Sequence, residues 1–375
     1  MEDFKGKMKI LILSNYANGL YLFRKEVLAA FLKAGYEVVV SVPPDENCKK
    51  VEELGCKVIS TEFERRGNNP IHDLKLLLKY IKLLRTQKPD IVLTYTIKPN
   101  LYGGLACRFC KIPYLVNITG LGTAIEGQGV LGKILLWFYR IATRDAACIF
   151  FQNEGNREFM QKRGIGRECS RLLPGSGVNL KEHPFSEYPS EENGIVFLAV
   201  LRIMKDKGIE EYLKAAEQMK EEYPNTYFYL AGEYEEETRS RYEPEIERLS
   251  GQGVIRYLGH IDNVPEVMAA SHVIVHPSYH EGLSNVLLEA AACGRPVLAS
   301  DVPGCRETLQ DKVSGLLFLP ESVESLIETI KVFLKYKQEK RKEMGTEGRK
   351  YVESVFDRNI VISIYLEEIQ KVVNK

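Results

Sequence analysis

Two glutamates eight residues apart, Glu281 and Glu289, flank the start of a predicted helix. Glu281 lies in a loop where Gly282 allows the backbone to turn tightly, and either Ser284 or Asn285 can cap the helix that carries Glu289. The first turn of a helix presents unpaired N–H groups and the positive end of the helix dipole, which together favour an anion such as a diphosphate. The pattern therefore predicts a binding site for a phosphorylated ligand.

A second charged pair, Arg202 and Lys207, directly follows a predicted strand at 194–201. A guanidinium binds phosphate oxygens as a planar fork, and an ammonium group binds them as a point charge. Ligands of parallel α/β sheets bind beyond the carboxyl ends of the strands. We therefore expect this pair to contact the same diphosphate.

The elements that position these residues alternate between strand and helix along the chain. Apolar runs such as 9–16 and 90–96 are typical of parallel strands that are covered on both faces. The alternation restarts after a polar segment with two prolines at 180–194, which we interpret as a linker. The sequence predicts an α/β fold with two Rossmann-like, doubly wound parallel-sheet domains, residues 1–185 and 186–356, that face a cleft.

The segment around the two glutamates resembles the E-x7-E signature of the family 4 retaining glycosyltransferases, which have the GT-B fold. The resemblance extends over essentially the whole chain, and it implies that the last segment, 357–375, packs back on the first domain. The residues that match the signature and its continuation are Pro277, Ser278, Glu281, Glu289, Gly294, Pro296, Val297, Ser300, Gly304, Glu307 and Gly315.

The resemblance also implies roles for individual residues. It gives Glu281 the hydroxyls of the donor sugar and Glu289 the ribose hydroxyls. Arg202 and Lys207 match the family's strand-R-x4-K-G element and are implied, with Glu281, to be catalytic. The implied donor-binding residues, several acting through their backbone, are Asn18, Gly19, Gly232, Glu233, His260, Ile261, Gly282, Leu283, Ser284, Asn285 and Glu289.

The acceptor site implied by the resemblance lies in the first domain. With Arg24, this region resembles bacterial enzymes that extend undecaprenyl-diphosphate-linked sugars in capsule, O-antigen or glycoprotein assembly, and Lys98 is the implied contact of the acceptor diphosphate. No histidine lies between His72 and His183, so the histidine that the family commonly has in this region has no counterpart. The implied acceptor-binding residues are Tyr95, Lys98, Gly120 and Gly122.

The resulting hypothesis is a retaining transferase that moves a hexose or N-acetylhexosamine from a UDP-sugar. No D-x-D motif occurs in the chain, and charged side chains with a helix N-terminus can stabilise the leaving diphosphate, so we expect no metal and no cofactor. Three alternatives stay open. One is an epimerase or phosphorylase of the same architecture, another is an NAD-dependent dehydrogenase that uses the G-x-G-x-x-G match at 127–132, and the third is a non-catalytic sugar-nucleotide binding protein.

Charge is distributed unevenly along the chain, although its formal net charge is zero. Residues 1–185 hold 28 Lys and Arg against 18 Asp and Glu, a net charge of +10, and residues 186–375 have a net charge of −10. Two predicted amphipathic helices, 72–87 and 133–144, carry part of the excess, either as ordinary solvated faces or as a surface for anionic lipid. Their basic residues are Lys75, Lys79, Lys82, Arg85, Lys133, Arg140 and Arg144.

The expected location follows from the same features. No apolar run approaches the ~18 residues of a membrane span, and the first ten residues do not resemble a signal peptide. We expect a cytoplasmic protein that is peripheral on the inner face of the cell membrane. Its expected partners are a nucleotide sugar, a lipid-linked glycan and an anionic membrane surface, with no nucleic acid.

Overall fold

The computed structural model describes residues 7–64, 69–121, 125 and 129–373. The chain forms two compact units. The first unit comprises Met1–Ser176 and Asn359–Lys375, and the second comprises Gly177–Arg358. The chain therefore passes from one unit to the other at two places. The sequence predicted the first boundary after residue 185, within the polar segment 180–194. In the structure the first unit's opening stretch ends at Ser176.

In the described part of the first unit, parallel strands form a seven-stranded sheet in the order β3-β2-β1-β4-β5-β6-β7. The strand order reverses between β1 and β4, as in doubly wound folds. The strands are β1 (Lys9–Leu13), β2 (Glu37–Val42), β3 (Lys57–Ser60), β4 (Ile91–Tyr95), β5 (Tyr114–Ile118), β6 (Cys148–Phe151) and β7 (Ser170–Leu172).

Helices cover both faces of this sheet. Alternate residues of β1 serve the two faces, because Ile10 and Ile12 pack with one set of helices and Leu11 and Leu13 with the other. Helices α1 (Ala17–Lys33), α2 (Cys48–Glu53) and α13 (Arg358–Val373) cover the first face. Helices α3 (Pro70–Gln87), α4 (Gly104–Cys110), α5 (Val130–Ala142) and α6 (Glu154–Lys162) cover the second.

The terminal helix α13 is part of the first unit's core. Val361, Tyr365 and Ile369 are fully buried among residues of α1 and the central strands. The hydroxyl of Tyr365 donates to Asn117 Oδ1 at 2.5 Å, and the amide of Asn117 donates to the carbonyl oxygen of Thr94 at 3.1 Å. The polar atoms of this buried group are thus paired, as burial requires.

The second unit has a six-stranded parallel sheet in the order β10-β9-β8-β11-β12-β13. Its strands are β8 (Ile195–Val200), β9 (Thr226–Ala231), β10 (Ile255–Gly259), β11 (Val273–His276), β12 (Val297–Ser300) and β13 (Gly315–Phe318). Its helices are α7 (Ile209–Glu222), α8 (Glu236–Gly251), α9 (Val264–Ala269), α10 (Asn285–Ala292), α11 (Val323–Lys335) and α12 (Gln338–Val355).

Two elements of the second unit were not recognised in the sequence. Helix α8 is strongly polar and contains Pro244 in its interior, where proline normally disfavours a helix. Tyr242, Ile246 and Leu249 nevertheless bury one side of α8 in the core. Helix α9 is only six residues long, too short for a recognisable period. Within the described residues, no helix is long and apolar enough to cross a bilayer.

A glycine allows two loops of the second unit to approach each other. Gly208 has a φ of +72°, and a Cβ atom at this position would lie 2.1 Å from the carbonyl oxygen of Pro277. The backbone N–H of Tyr279 donates to the carbonyl oxygen of Asp206 at 2.9 Å in the same contact. The loop after β8 and the loop after β11 are therefore held together through their backbones.

We expect Gly208→Ala to destabilise the protein more than Gly253→Ala, which serves as a matched control. Both glycines have a φ of +72°, but nothing lies within 4 Å of a Cβ at Gly253. Backbone strain alone should lower the free energy of unfolding by about 1–2 kcal/mol in each variant. The clash at Gly208 should add about 1–3 kcal/mol. Urea unfolding followed by circular dichroism measures the difference, and equal losses would refute the close approach of the two loops.

Candidate active site

The candidate site of the second unit begins where β11 ends. His276 is the last residue of β11, a loop follows it, and Ser284 caps helix α10 by accepting a hydrogen bond from the N–H of Leu287. Asn285 is the first residue of the helix, and its Oδ1 atom is buried without a hydrogen-bond partner in the described structure. Of the two capping residues that the sequence allowed, Ser284 is the one that caps.

Some backbone N–H groups at this helix start already have an acceptor within the protein. The N–H of Ser284 donates to the carbonyl oxygen of Gly304 at 2.8 Å, so it is engaged within the protein. The N–H groups of Asn285 and Val286 lie in the first helical turn, where no intrahelical acceptor exists for them. The N–H groups of Asn285 and Val286 are therefore the backbone donors that the first turn of α10 provides.

Glu281 is held by two donors at one oxygen. Its Oε1 accepts from Lys207 Nζ at 2.6 Å and lies 3.0 Å from His276 Nε2. Burial raises the pKa of Glu281, but the hydrogen bond from His276 and the positive charge of Lys207 outweigh it and lower the pKa to about 2. Glu281 is therefore a carboxylate at any physiological pH.

His276 is a site residue that the sequence did not reveal. Its Nε2 lies between Glu281 Oε1 and Ser284 Oγ, the latter at 3.1 Å, and its Nδ1 is buried with no partner among the described residues. Because a carboxylate can only accept, Nε2 must carry the hydrogen. The sequence offered no indication beyond its place before Pro277, since a histidine at the end of a strand is usually a core residue.

Glu289 lies further along α10, in an environment that raises its pKa, whereas the surroundings of Glu281 lower the pKa of that residue. Burial raises the pKa of Glu289 to about 7, although Arg358 opposes the effect. The nearest histidine nitrogen, His183 Nε2, lies 3.9 Å from its carboxylate. The two glutamates of one short segment therefore differ in charge near neutral pH, a separation that is typical of functional sites.

The two basic residues that were predicted to act together have different carboxylate partners. Lys207 ends a short 3-10 turn, Lys205–Lys207, and its Nζ contacts both Glu281 and the hydroxyl of Ser278 at 3.3 Å. The side chain of Arg202 is 57% exposed and pairs with Glu235 at 2.6 Å. Lys207 is thus joined to the glutamate loop, and Arg202 is tied to a different carboxylate.

The residues that were assigned to the nucleotide lie at the ends of neighbouring strands β9 and β10. Glu233 Oε1 and His260 Nδ1 are 3.3 Å apart, and both side chains are largely exposed. Gly232 has a φ of +143°, a conformation that requires glycine. Ile261, the residue after His260, is half-buried. Gly282 is half-buried, and Leu283 is buried in a small apolar cluster with Leu288.

The predicted residues of the first unit are held by internal partners. Asp45 Oδ2 accepts from the N–H groups of Ala17 and Asn18, so a carboxylate already occupies the start of α1, which contains Gly19. Lys98 pairs with Asp73 at 2.8 Å. These two acidic partners were not foreseen, because they come from distant parts of the sequence.

Tyr95 is buried at the end of β4, with the guanidinium of Arg24 5.6 Å from its ring centre. The next residue, Thr96, has a φ of +71°, an unusual value for a β-branched side chain. Gly120 follows β5 and is half-buried. Gly122 and Gly127 lie outside the described residues.

Two family models match the chain. "Glycosyl transferase 4-like" matches residues 9–153, and "Glycosyl transferases group 1" matches residues 181–351. Together these segments contain the sheets of both units except β7.

Relatives with established names are similar over most of their length. The chain is 29% identical to the N,N'-diacetylbacillosaminyl-diphospho-undecaprenol alpha-1,3-N-acetylgalactosaminyltransferase of Campylobacter jejuni, over 98% of this chain and 99% of that protein. It is 24% identical to the UDP-Gal:alpha-D-GlcNAc-diphosphoundecaprenol alpha-1,3-galactosyltransferase of Escherichia coli, over 71% of each chain.

A solved structure supports the same fold. The crystal structure of Anabaena HepE (Alr3699) in complex with UDP superimposes with a TM-score of 0.81 and 19% sequence identity, over 97% of this chain and 100% of that chain. These findings confirm the predicted fold, and they do not favour the epimerase alternative. The chain belongs to the glycosyltransferases of the GT-B fold that combine a 4-like amino-terminal domain with a group 1 carboxyl-terminal domain.

Proposed function

We propose that this glycosyltransferase moves a hexose or N-acetylhexosamine from a UDP-sugar to a polyprenyl-diphosphate-linked glycan, with retention of configuration and without a metal. The observation that carries the proposal is the ionised Glu281, which is fixed by Lys207 and His276 beside the start of α10. One oxygen of Glu281 has two donors, and its Oε2 is the atom that would accept the hydroxyls of the donor sugar.

The choice of donor and acceptor rests on the relatives. The Escherichia coli relative is named as using UDP-Gal, and the two relatives described above are named for acceptors joined to undecaprenol through a diphosphate. The first unit carries the excess positive charge that such an acceptor would meet. The glycan would belong to a surface polysaccharide or a glycoprotein.

The chemistry requires a stabilised leaving group. The bond between the anomeric carbon and the diphosphate oxygen breaks, and negative charge develops on the diphosphate. Lys207 and the N–H groups of the first turn of α10 are fixed charges and dipoles that can stabilise this charge without reorganisation. The acceptor hydroxyl adds to the same face of the sugar and gives its proton to the departing phosphate oxygen, so the configuration is retained.

The outer face of the first unit supports docking on a membrane. Helices α3, α4 and α5 pack side by side over one face of the sheet. Their solvent side carries both apolar and basic side chains, the combination found in interfacial helices. The exposed apolar residues are Ile71, Leu74, Leu78, Phe109, Val130, Leu131, Ile134 and Trp137, and the exposed basic ones include Lys75, Lys79, Lys82, Arg85, Lys133, Arg140 and Arg144.

Transfer from radiolabelled UDP-sugars to a lipid extract that contains polyprenyl-diphosphate sugars tests the reaction. We expect transfer from one UDP-sugar to persist in EDTA and to give a product with the donor's anomeric configuration. Lys207→Ala and Arg202→Ala should each lower kcat/KM, and the loss should correspond to about 2–4 kcal/mol of transition-state stabilisation. Lys205→Ala, in the same turn but exposed, is the control. Inhibition by EDTA that magnesium or manganese reverses would refute the metal-free mechanism.

The affinity for a UDP-sugar should rise with pH. Ribose hydroxyls bind an ionised Glu289 better than a protonated one, and the pKa of this group is about 7 in the free protein. If binding requires the carboxylate, the affinity should increase about tenfold from pH 6 to pH 8. Calorimetric titration with UDP-glucose, which has no monoester phosphate that titrates in this range, measures the effect.

Glu289→Gln is the matched variant for that titration. It should bind UDP-glucose more weakly than the wild type and show little change in affinity between pH 6 and pH 8. An unchanged affinity in Glu289→Gln would remove Glu289 from the site. If the affinity of Glu289→Gln rose with pH as steeply as that of the wild type, the titration would belong to another group. His183 is the nearest histidine to Glu289.

Vesicle sedimentation tests the docking surface. Binding should increase with the fraction of anionic lipid and decrease with salt. Ile134→Ser should weaken it about tenfold, because the exposed Ile134 would otherwise be buried in the bilayer interface. Leu22→Ser is the control, since Leu22 is similarly exposed but lies on α1, which covers the opposite face of the sheet. Protein that stays in solution with fully anionic vesicles at low salt would refute docking.

A further inference from the structure

A basic recess lies at the edge of the first unit's sheet where the amino ends of the strands meet, opposite the carboxyl ends of β1 and β4. Its volume is about 770 Å³. Four arginines line it, namely Arg108 from α4, Arg140 from α5, Arg144 just after α5 and Arg167 before β7, and they outnumber the two acidic lining residues, Asp145 and Glu168. These segments precede β5, β6 and β7, so the recess is at the amino ends of the strands.

This position distinguishes the recess from the sugar-transfer site. Substrates of parallel α/β sheets bind beyond the carboxyl ends of the strands. Tyr95, which was predicted to bind the acceptor, is the last residue of β4, and Gly120, predicted likewise, follows the carboxyl end of β5. A ligand in the recess would therefore bind at the other edge of the same sheet, and sugar transfer does not explain the clustered arginines.

The positive charge of the recess is only partly neutralised from within the protein. Asp145 accepts from Arg108 Nε at 2.7 Å, and Arg167 Nε donates to the carbonyl oxygen of Gln161 at 2.8 Å. Arg140 and Arg144 have no carboxylate within 4 Å in the part of the chain that the structure describes. Two exposed guanidinium groups thus face a cavity with unpaired charge, and guanidinium groups bind phosphate oxygens in pairs of parallel hydrogen bonds.

Trp137 connects the recess to the apolar side of α5. This side chain is 60% exposed, lines the recess and continues the exposed series Val130, Ile134 along the helix. Tryptophan favours the boundary between acyl chains and headgroups. With Val130 and Ile134 in contact with acyl chains, Arg140 and Arg144, one and two turns beyond Trp137, would lie at the depth of the lipid phosphates.

We propose that the recess binds the phosphate-bearing headgroup of an anionic phospholipid, with Arg140 and Arg144 as the phosphate ligands. The inference rests on the membrane docking proposed above and adds a defined headgroup site to it. Diffuse attraction depends only on the number of basic residues near the surface. A headgroup site depends on which residues are basic, and this difference makes the two distinguishable.

Trp137 provides the readout, because it is the single tryptophan of the chain and lines the recess. Titration with short-chain phosphatidylglycerol below its micelle concentration should shift the emission of Trp137 to a saturable end point. Short-chain phosphatidylcholine should not. The double variant Arg140→Gln/Arg144→Gln should lose saturation, whereas Lys75→Gln/Lys82→Gln, which removes two charges from exposed positions on α3, should keep it.

The vesicle experiment completes the test. The recess variant should lose at least tenfold more affinity for phosphatidylglycerol vesicles than the Lys75/Lys82 variant. Equal losses in the two variants, or a wild-type emission that does not saturate, would overturn the headgroup site. Inorganic phosphate or glycerol phosphate that saturates the emission shift as tightly as the lipid would overturn the lipid assignment. Docking itself is judged separately by wild-type sedimentation, and the proposed function by sugar transfer in detergent.

Discussion

The ion pair between Lys207 and Glu281 joins two loops that follow different strands of the second sheet. Both side chains are mostly buried, with 17% and 16% of their surface exposed, so neither charge can be left without the other at low cost. The close approach at Gly208 brings the loops near enough for the pair to form. His276 and Ser284 extend the same network to the start of α10. The geometry of this candidate site therefore depends on one buried pair of opposite charges.

The pair also explains why two glutamates of one segment behave differently. Glu281 has two donors at one oxygen and is ionised, whereas Glu289 is buried with weaker compensation from Arg358, and its pKa is raised to about 7. Because the pKa of Glu281 is far below neutral, its charge and its hydrogen-bonding capacity do not change with pH near neutrality. A carboxylate near its titration point couples ligand binding to proton release. One short helix and its preceding loop thus carry two electrostatic environments.

The sequence predicted the parts of this site that depend on local pattern. Apolar runs identified the strands other than β7, because strands covered on both faces have no polar side. The spacing of Glu281 and Glu289 and the position of Lys207 identified the two loops. The contacts that complete the site could not be predicted, because they join residues that are far apart in sequence. Arg202 with Glu235 and Lys98 with Asp73 are examples, and in each pair an acidic side chain engages a basic residue that was predicted to bind a diphosphate.

The position of α13 has a consequence for the order in which the protein folds during synthesis. The first unit obtains Val361, Tyr365 and Ile369 of its core only after the whole second unit has been translated. Domains usually fold as they emerge from the ribosome, beginning at the amino terminus. Here the second unit, continuous from Gly177 to Arg358, can complete its core first, while the first unit waits with a gap beside Phe31 and Phe150, the aromatic rings that Tyr365 contacts. Completion of the first unit's core is thereby tied to translation of α13.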